Sequence, residues 1–237
     1  MAIKAVLFDL DGTLLPMDYP KFMKLYFGGL AKKLTPHGYD PDALIDAIWK
    51  GCAAMVENDG STLNHLIFWK KFAEIFGERV EQDMPIFDDS YENEYHQAKV
   101  VCEKTDYARK TVDLVKEKGL RVVLATNPVF PFAATRARIG WAGLELSDFE
   151  LITTYENSGF CKPNPDYYRD IAKRIGLAPE ECLMVGNDVT EDMVASAVGM
   201  QVFLLTDCIL NRENKDISVY PSGGFPELLA FIENLNR

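Results

Sequence analysis

The chain is 237 residues long, which fits one large domain or two small ones. Hydrophobic residues make up 48% of it and charged residues 26%, so the composition is that of a folded globular protein and excludes a wholly disordered chain. The net charge of −11 is spread along the sequence, which argues against nucleic acid or an anionic membrane as the main partner.

Neither the apolar runs nor the cysteines indicate a membrane or secreted protein. No apolar run is long enough to span a bilayer, and the N-terminus lacks the pattern of a signal peptide. The five cysteines form no Cys-x-x-Cys pair, and most lie within apolar runs. We therefore expect reduced thiols and a cytoplasmic protein.

Five short apolar runs predict strands, because each is almost continuously apolar, as in strands buried on both faces of a parallel sheet. Helical spacing appears over Tyr107–Lys118 and Pro165–Ile175, and each of these segments ends at a glycine, Gly119 or Gly176. The alternation predicts an α/β fold with a doubly wound, mainly parallel sheet of five or more strands. The runs are Ala5–Phe8, Val122–Ala125, Leu151–Thr153, Leu183–Val185 and Val202–Leu205.

The long segment between the first and second runs carries little strand signal and predicts an all-helical insert. We place the insert at residues 17–104 and the sheet domain at residues 1–16 and 105–237, with hinges at Leu15-Pro16 and Lys104-Thr105. The insert thus begins just after the first strand of the sheet.

Three helices are predicted inside this insert. Asp40 followed by Pro41 is typical of a helix start, and this helix should run to about Val56. Ser61 is expected to cap a second helix, and a third is expected within Ser90–Val101.

Two carboxylates stand at the end of the first strand, in Asp9-Leu10-Asp11-Gly12-Thr13. In extended backbone, residues i and i+2 point to the same side, so Asp9 and Asp11 should face one small volume. That volume lies at the carboxyl edge of the sheet, where open α/β sheets bind their ligands. A plain Asp-Gly turn would explain Asp11 but not Asp9.

Polar residues also follow the second and third strands. Thr126 and Asn127 carry a hydroxyl and an amide that suit an oxyanion, although Asn127 alone also fits a helix cap. Lys162 precedes Asn164-Pro165, a helix start, and a cation beside a helix N-terminus is unfavourable unless an anion is present. The alternative for Lys162 is a solvated side chain.

The fourth strand is followed by Gly186-Asn187-Asp188 and then Asp192. Asp188 with Glu191 three residues later also fits a capping box for a following helix.

Each of these four motifs follows a predicted strand. Their order along the chain resembles that of the haloacid dehalogenase superfamily of phosphohydrolases. The resemblance covers roughly residues 1–16 and 105–237, and the helical insert is similar to the cap domain of that family. It implies that Asp9 is the nucleophile and that Asp11 is the general acid and base.

The resemblance also implies the ligands of the reaction. Asp9, the backbone carbonyl of Asp11 and Asp188 would bind Mg²⁺, because a phosphate ester and two carboxylates cannot share a pocket without cations. The residues expected to hold the transferring phosphoryl group are Thr126, Asn127 and Lys162. Asp192 would orient Lys162 or a metal-bound water. We favour Asp188 over Asn187 as the direct ligand, because a carboxylate adds charge that an amide cannot, and Asn187 would be a weaker or water-mediated contact.

The leading hypothesis is therefore a Mg²⁺-dependent phosphatase that acts on a small phosphorylated metabolite through an aspartyl phosphate. A phosphomutase on the same scaffold and a non-enzymatic phosphoryl-accepting switch are the alternatives. Dehalogenase chemistry is less well matched, because it needs neither Asp11 nor Mg²⁺. The sequence leaves open the substrate, the residues of the insert that contact it, and the oligomeric state.

Overall fold

The computed structural model, which describes residues 2–235, contains a six-stranded sheet. Its strands are β1 (Ala5–Phe8), β2 (Arg121–Leu124), β3 (Leu151–Ile152), β4 (Cys182–Gly186), β5 (Gln201–Leu205) and β6 (Ser222–Gly223). Their order is β3-β2-β1-β4-β5-β6, and every neighbouring pair is parallel. The predicted doubly wound sheet is confirmed, and each of the five predicted strands lies within one residue of its predicted bounds. The two-residue β6 was not predicted, because it lies outside any apolar run.

Eight α-helices accompany the sheet in the described part of the chain. They are α1 (Tyr19–Leu34), α2 (Pro41–Val56), α3 (Asn64–Phe76), α4 (Arg79–Glu92), α5 (Asp106–Glu117), α6 (Phe132–Trp141), α7 (Pro165–Arg174) and α8 (Phe225–Glu233). Shorter 3₁₀-helices lie at Thr35–His37, Glu94–Val101, Leu146–Asp148, Pro179–Glu181 and Met193–Val198. None of the helices within residues 2–235 is long and apolar enough to cross a membrane.

The start of α2 and the ends of α5 and α7 agree with the capping signals in the sequence. The Asp40 side chain accepts a hydrogen bond from the Ala43 amide at 2.9 Å, which fixes the start of α2 as predicted. Gly119 and Gly176 adopt φ values of +71° and +67° just after α5 and α7. These left-handed conformations, which glycine adopts without steric cost, end both helices where the sequence predicted.

One expectation for the insert was wrong. Helix α3 begins after Leu63 without a side-chain cap, so Ser61 does not cap it. The helix expected within Ser90–Val101 is the 3₁₀-helix Glu94–Val101, and the α-helix α4 before it was not predicted. Proline at position 85 lies inside α4 and breaks the sequence pattern that would have indicated one helix there.

The strands are apolar throughout because the sheet is covered on both faces. Val6 and Phe8 of β1 belong to one buried cluster, whereas Ala5 and Leu7 belong to a second one. The first cluster continues into the helical insert and includes Phe72. The insert therefore packs on a core that is continuous with one face of the sheet.

The strand order places the chemistry-bearing end of β1 at the centre of the sheet. β1 pairs with β2 on one side and with β4 on the other. Connections leave in opposite directions from this point, and such a switch point opens a crevice at the carboxyl edge of the strands. The residues that follow β1 and β4 lie there.

Candidate active site

Asp9 lies at the floor of this crevice, one residue after β1. Its backbone amide donates to the carbonyl of Val185 at 2.9 Å, so the parallel pairing with β4 extends to Asp9. Its side chain is largely buried, with the whole residue 7% exposed. The sheet thereby fixes both the position and the direction of this carboxylate.

Lys162 holds the Asp9 carboxylate from behind. The Lys162 ammonium lies 2.8 Å from Asp9 Oδ1 and 2.6 Å from Asp192 Oδ1, and Lys162 is 1% exposed. Burial by itself would lower the pKa of Lys162, but the two carboxylates hold that pKa well above its ordinary value. Lys162 is therefore a buried cation that contacts the Asp9 and Asp192 carboxylates at the same time.

Asp11 faces the same crevice and is paired with a buried arginine from α6. Arg138 forms an ion pair with Asp11 Oδ2, and its guanidinium lies over the Phe130 ring. The other oxygen, Oδ1, is buried and has no hydrogen-bond partner in the described part of the chain. Burial raises the pKa of the Asp11 carboxyl to about 6, although the charge of Arg138 acts in the opposite direction.

The turn after Asp11 brings β1 against the fourth strand end. Gly12 has a φ of +85°, and a Cβ at this position would lie 2.3 Å from Asn187 Nδ2. The Thr13 hydroxyl lies 3.2 Å from Asp9 Oδ2 and 3.0 Å from Asn187 Oδ1, so it bridges the two. Glycine is required here because the backbone approaches Asn187 closely.

Asp188 lies in the crevice with both carboxylate oxygens engaged. Oδ1 accepts from the amides of Thr190 at 2.8 Å and Glu191 at 2.9 Å. The alternative of a capping box with Glu191 is wrong, because the next helix begins only at Met193. Oδ2 accepts from the Arg212 guanidinium at 2.6 Å. The Asp188 amide in turn donates to Asp192 Oδ2 at 2.9 Å.

The residues after β2 have two different surroundings. Thr126 is 3% exposed and lines the crevice. The Asn127 amide accepts from the Lys162 backbone N–H at 3.2 Å and donates to Glu191 at 3.1 Å. Asn127 thus holds the loop that carries Lys162, rather than capping α6.

These residues enclose an acid-lined cavity of about 90 Å³, called here the carboxylate cavity. All the predicted site residues line it except Lys162, which lies behind Asp9. Its charged lining consists of five acids and one arginine: Asp9, Asp11, Asp188, Glu191, Asp192 and Arg212. Such an excess of hard oxygen donors, with the unpartnered Asp11 Oδ1 among them, fits a divalent cation such as Mg²⁺.

No three His, Cys, Asp or Glu side chains within residues 2–235 converge on a common metal position. The ligand set implied by the resemblance does not require such a cluster, because it combines two carboxylate side chains with one backbone carbonyl. The assignment of Asp9, Asp11 and Asp188 as ligands stays a prediction.

The sequence analysis missed four residues of this site. Tyr19 lines the cavity, Glu191 reaches it, and Arg138 and Arg212 pair with its carboxylates. Glu191 was noted only as part of a capping box. The two arginines stand outside any strand-end motif, so no local pattern pointed to them.

Comparison with known proteins identifies the family. The haloacid dehalogenase-like hydrolases match residues 3–199 of the chain. The glyceraldehyde 3-phosphate phosphatase of Pyrococcus furiosus is 25% identical, over 99% of this chain and 95% of its own. The phosphoglycolate phosphatase of Nitrosospira multiformis is 24% identical, over 93% of this chain and 88% of its own.

A solved structure shows the same fold. The hydrolase YfnB of Bacillus subtilis, crystallised with magnesium, matches with a TM-score of 0.57 and 18% identity over 98% of this chain and 99% of its own. The resemblance predicted from the strand-end motifs is thereby confirmed. The chain belongs to the haloacid dehalogenase-like hydrolases and is an enzyme of that family.

Proposed function

We propose that this enzyme is a Mg²⁺-dependent phosphatase that hydrolyses a small phosphorylated metabolite through a phosphorylated Asp9. The observation that carries the proposal is the Asp9 carboxylate, held at the floor of the carboxylate cavity by Lys162 at 2.8 Å. The names of the relatives support the reaction class, since those named above are phosphatases of small phosphorylated compounds.

In the first step an Asp9 oxygen forms a bond to phosphorus while the bond from phosphorus to the ester oxygen breaks. Asp11 gives its proton to the leaving oxygen, for which a pKa of about 6 is well suited. Lys162 donates to Asp9 Oδ1 and holds the carboxylate in place for attack on phosphorus.

In the second step water attacks the phosphorus of the aspartyl phosphate. Asp11, now ionised, takes the proton of that water, and the bond between phosphorus and the Asp9 oxygen breaks. Inorganic phosphate leaves, Asp9 is restored as a carboxylate, and Asp11 is protonated again. The same residue therefore acts as acid and then as base.

Other groups of the carboxylate cavity would bind the metal ion and the phosphoryl oxygens. Asp9, the Asp11 backbone carbonyl and Asp188 would hold Mg²⁺, with Asn187 as the secondary contact. The bound ion supplies positive charge against the phosphate and the acidic lining. Thr126 would donate to a phosphoryl oxygen.

Two loop residues complete the assignment. Asn127 and Asp192 both contact Lys162, at 3.2 Å and 2.6 Å, and would keep its ammonium beside the reacting group. A cytoplasmic location accords with the five cysteines, which are all free.

The test is phosphate release from a panel of phosphorylated metabolites with Mg²⁺. We expect Asp9→Asn to lose activity by roughly 10⁴-fold or more, because an amide is a poor nucleophile. Asp113→Asn is the matched control, since Asp113 is an exposed acid that pairs, among the described residues, only with Arg109 on α5. Wild-type rates in Asp9→Asn would contradict the proposal. A long-lived phosphorylated Asp9 without released phosphate would instead indicate the switch.

A further inference from the structure

A second cavity opens beside the carboxylate cavity and differs from it in chemistry. It has a volume of about 180 Å³ and is lined by helices α1 to α4 of the insert and by the loops after β2, β3 and β4. Eight aromatic side chains line it, among them Tyr26, Trp49, Phe68 and Tyr155. We call it the aromatic cavity.

The two cavities adjoin each other. Five residues line both of them: Tyr19, Asn127, Val129, Phe130 and Glu191. A phosphate ester bound at Asp9 would therefore direct its leaving group towards the aromatic cavity. This shared lining distinguishes the aromatic cavity from a packing gap remote from Asp9.

We propose that the aromatic cavity accepts the leaving group of the substrate and that this group is uncharged and apolar, with an aromatic ring as the best fit. The inference rests on the proposed phosphatase function and names its substrate class. Apolar cavities of about 150 Å³ hold a benzene ring, so the available volume accommodates one ring with a short linker.

The charge of the lining argues against an anionic leaving group. Among the described residues that line the aromatic cavity there is no Lys, Arg or His, and the one charged residue is Glu191. A carboxylate placed here would lose its hydration without gaining a cation, and it would be repelled by Glu191. A glycolate-type leaving group is therefore disfavoured.

Three polar side chains of the lining are already bonded, which disfavours a sugar. The hydroxyls of Tyr26 and Tyr91 lie 2.9 Å apart and bond to each other. Asn127 is committed to Glu191 and the Lys162 backbone. Substrate hydroxyls placed against these groups would have to break bonds that are already made, whereas an apolar ring would not.

Three alkyl phosphates with the same ethylene attachment test the inference: phenethyl phosphate, carboxyethyl phosphate and ethyl phosphate. We expect kcat/KM for phenethyl phosphate to exceed that for ethyl phosphate by about 10- to 100-fold, as burial of a ring predicts. Carboxyethyl phosphate should be no faster than ethyl phosphate. Carboxyethyl phosphate turning over as fast as phenethyl phosphate would overturn the inference.

Val56→Arg places a cation at the rim of the aromatic cavity, where Val56 is 39% exposed and the new side chain has room. This variant should raise the carboxyethyl-to-phenethyl ratio of kcat/KM by about 10-fold. Ala53→Arg is the matched control, because Ala53 is exposed on the same helix and lies outside the cavity. An equal shift in both variants would contradict the assignment.

Binding of two non-hydrolysable phosphonates separates the inference from the proposed function. Calorimetry with phenylpropyl phosphonate and carboxypropyl phosphonate should show tighter binding of the phenyl compound. That order in a protein that releases no phosphate would sustain the aromatic cavity and reject the phosphatase. Equal or reversed affinities together with Asp9-dependent hydrolysis would reject the aromatic cavity alone.

Discussion

At the scale of single residues, Asp188 and Asn187 differ in how free they are to bind a metal ion. Asp188 accepts from two backbone amides and from Arg212, whereas within residues 2–235 the Asn187 oxygen accepts only from Thr13. A Mg²⁺ ion bound to Asp188 must therefore displace Arg212 from the carboxylate or share the carboxylate with it. The negative charge of Asp188 favours this exchange, because an amide offers only a dipole.

We expect Asp188→Ala to weaken Mg²⁺ binding by about 10-fold or more and Asn187→Ala to weaken it less. Calorimetric titration of each variant with Mg²⁺ measures this without turnover. Near-ultraviolet circular dichroism controls for loss of the fold, since Asp188 also caps its turn. A larger loss of affinity in Asn187→Ala would reverse the assignment.

The site residues that sequence could predict are those that the strand ends carry. Asp9, Thr126 and Asp188 follow buried strands, and parallel pairing alone brings such positions to one edge. Arg138 and Arg212 reach the cavity from a helix and a long loop. Their contacts depend on how those elements pack, which no local pattern encodes.

At the scale of elements, two helical glycines have opposite surroundings. A Cβ on Gly51 of α2 would lie 2.5 Å from the Phe68 ring of α3, whereas a Cβ on Gly28 of α1 would meet nothing within 4 Å. Gly51 therefore permits the close contact of α2 with α3. Phe68 also lines the aromatic cavity, so this contact shapes that cavity.

Gly51→Ala should destabilise the protein by about 1–2 kcal/mol, because the cost of overpacking exceeds the gain in helix propensity. Gly28→Ala should stabilise it by about 0.5–1 kcal/mol, because only the gain in propensity remains. Urea unfolding of both variants, with unchanged m values, checks the two signs. A shift of the same sign in both would show that Gly51 is not a contact point.

The sequence correctly predicted those helix ends that are fixed by a capping side chain or by a glycine turn. Asp40-Pro41, Gly119 and Gly176 marked helix ends correctly because capping and left-handed turns act within a few residues. Asp18 also caps α1, by accepting from the Lys21 amide at 3.2 Å. Asp18 and Pro20 together are typical of a helix start, although the sequence analysis did not predict this helix. The start of α3 depends instead on contacts with the sheet domain.

At the scale of the whole molecule, the insert is joined to the sheet domain by more than its two chain links. Where those links run side by side, the amide of Glu103 donates to the carbonyl of Pro16 at 2.7 Å. The start of α3 makes a separate contact, in which the amides of Asn64 and His65 donate to the carbonyls of Ser158 and Tyr155, both at 2.9 Å. Hinge motion at residues 15–16 and 104–105 stays a prediction, and it requires these α3 contacts to open.

The Asn64 side chain is the centre of that contact. Asn64 is fully buried, accepts from Asn58 at 2.8 Å, and donates towards the carbonyls of Pro128 and Phe160 at 3.3 Å and 3.4 Å. Pro128 lies in the same loop as Asn127 and Phe130, and these two residues line both cavities. The docking of α3 is therefore coupled to the position of the cavity walls.

Asn64→Ala should loosen the insert from the sheet domain, because it leaves buried polar groups unpaired at a cost of roughly 1–3 kcal/mol each. We expect the amides of residues 64 and 65 to exchange with deuterium faster, while the amides of β1 and β4 stay protected. Asn93→Ala is the control, since Asn93 is exposed and its side chain, in the part of the chain that the structure describes, bonds only to Asp89 of α4. Unchanged exchange at residues 64 and 65 would mean that backbone pairing alone holds the insert. Faster exchange confined to these residues would identify the α3 contact as the one that must release before the cavities can open.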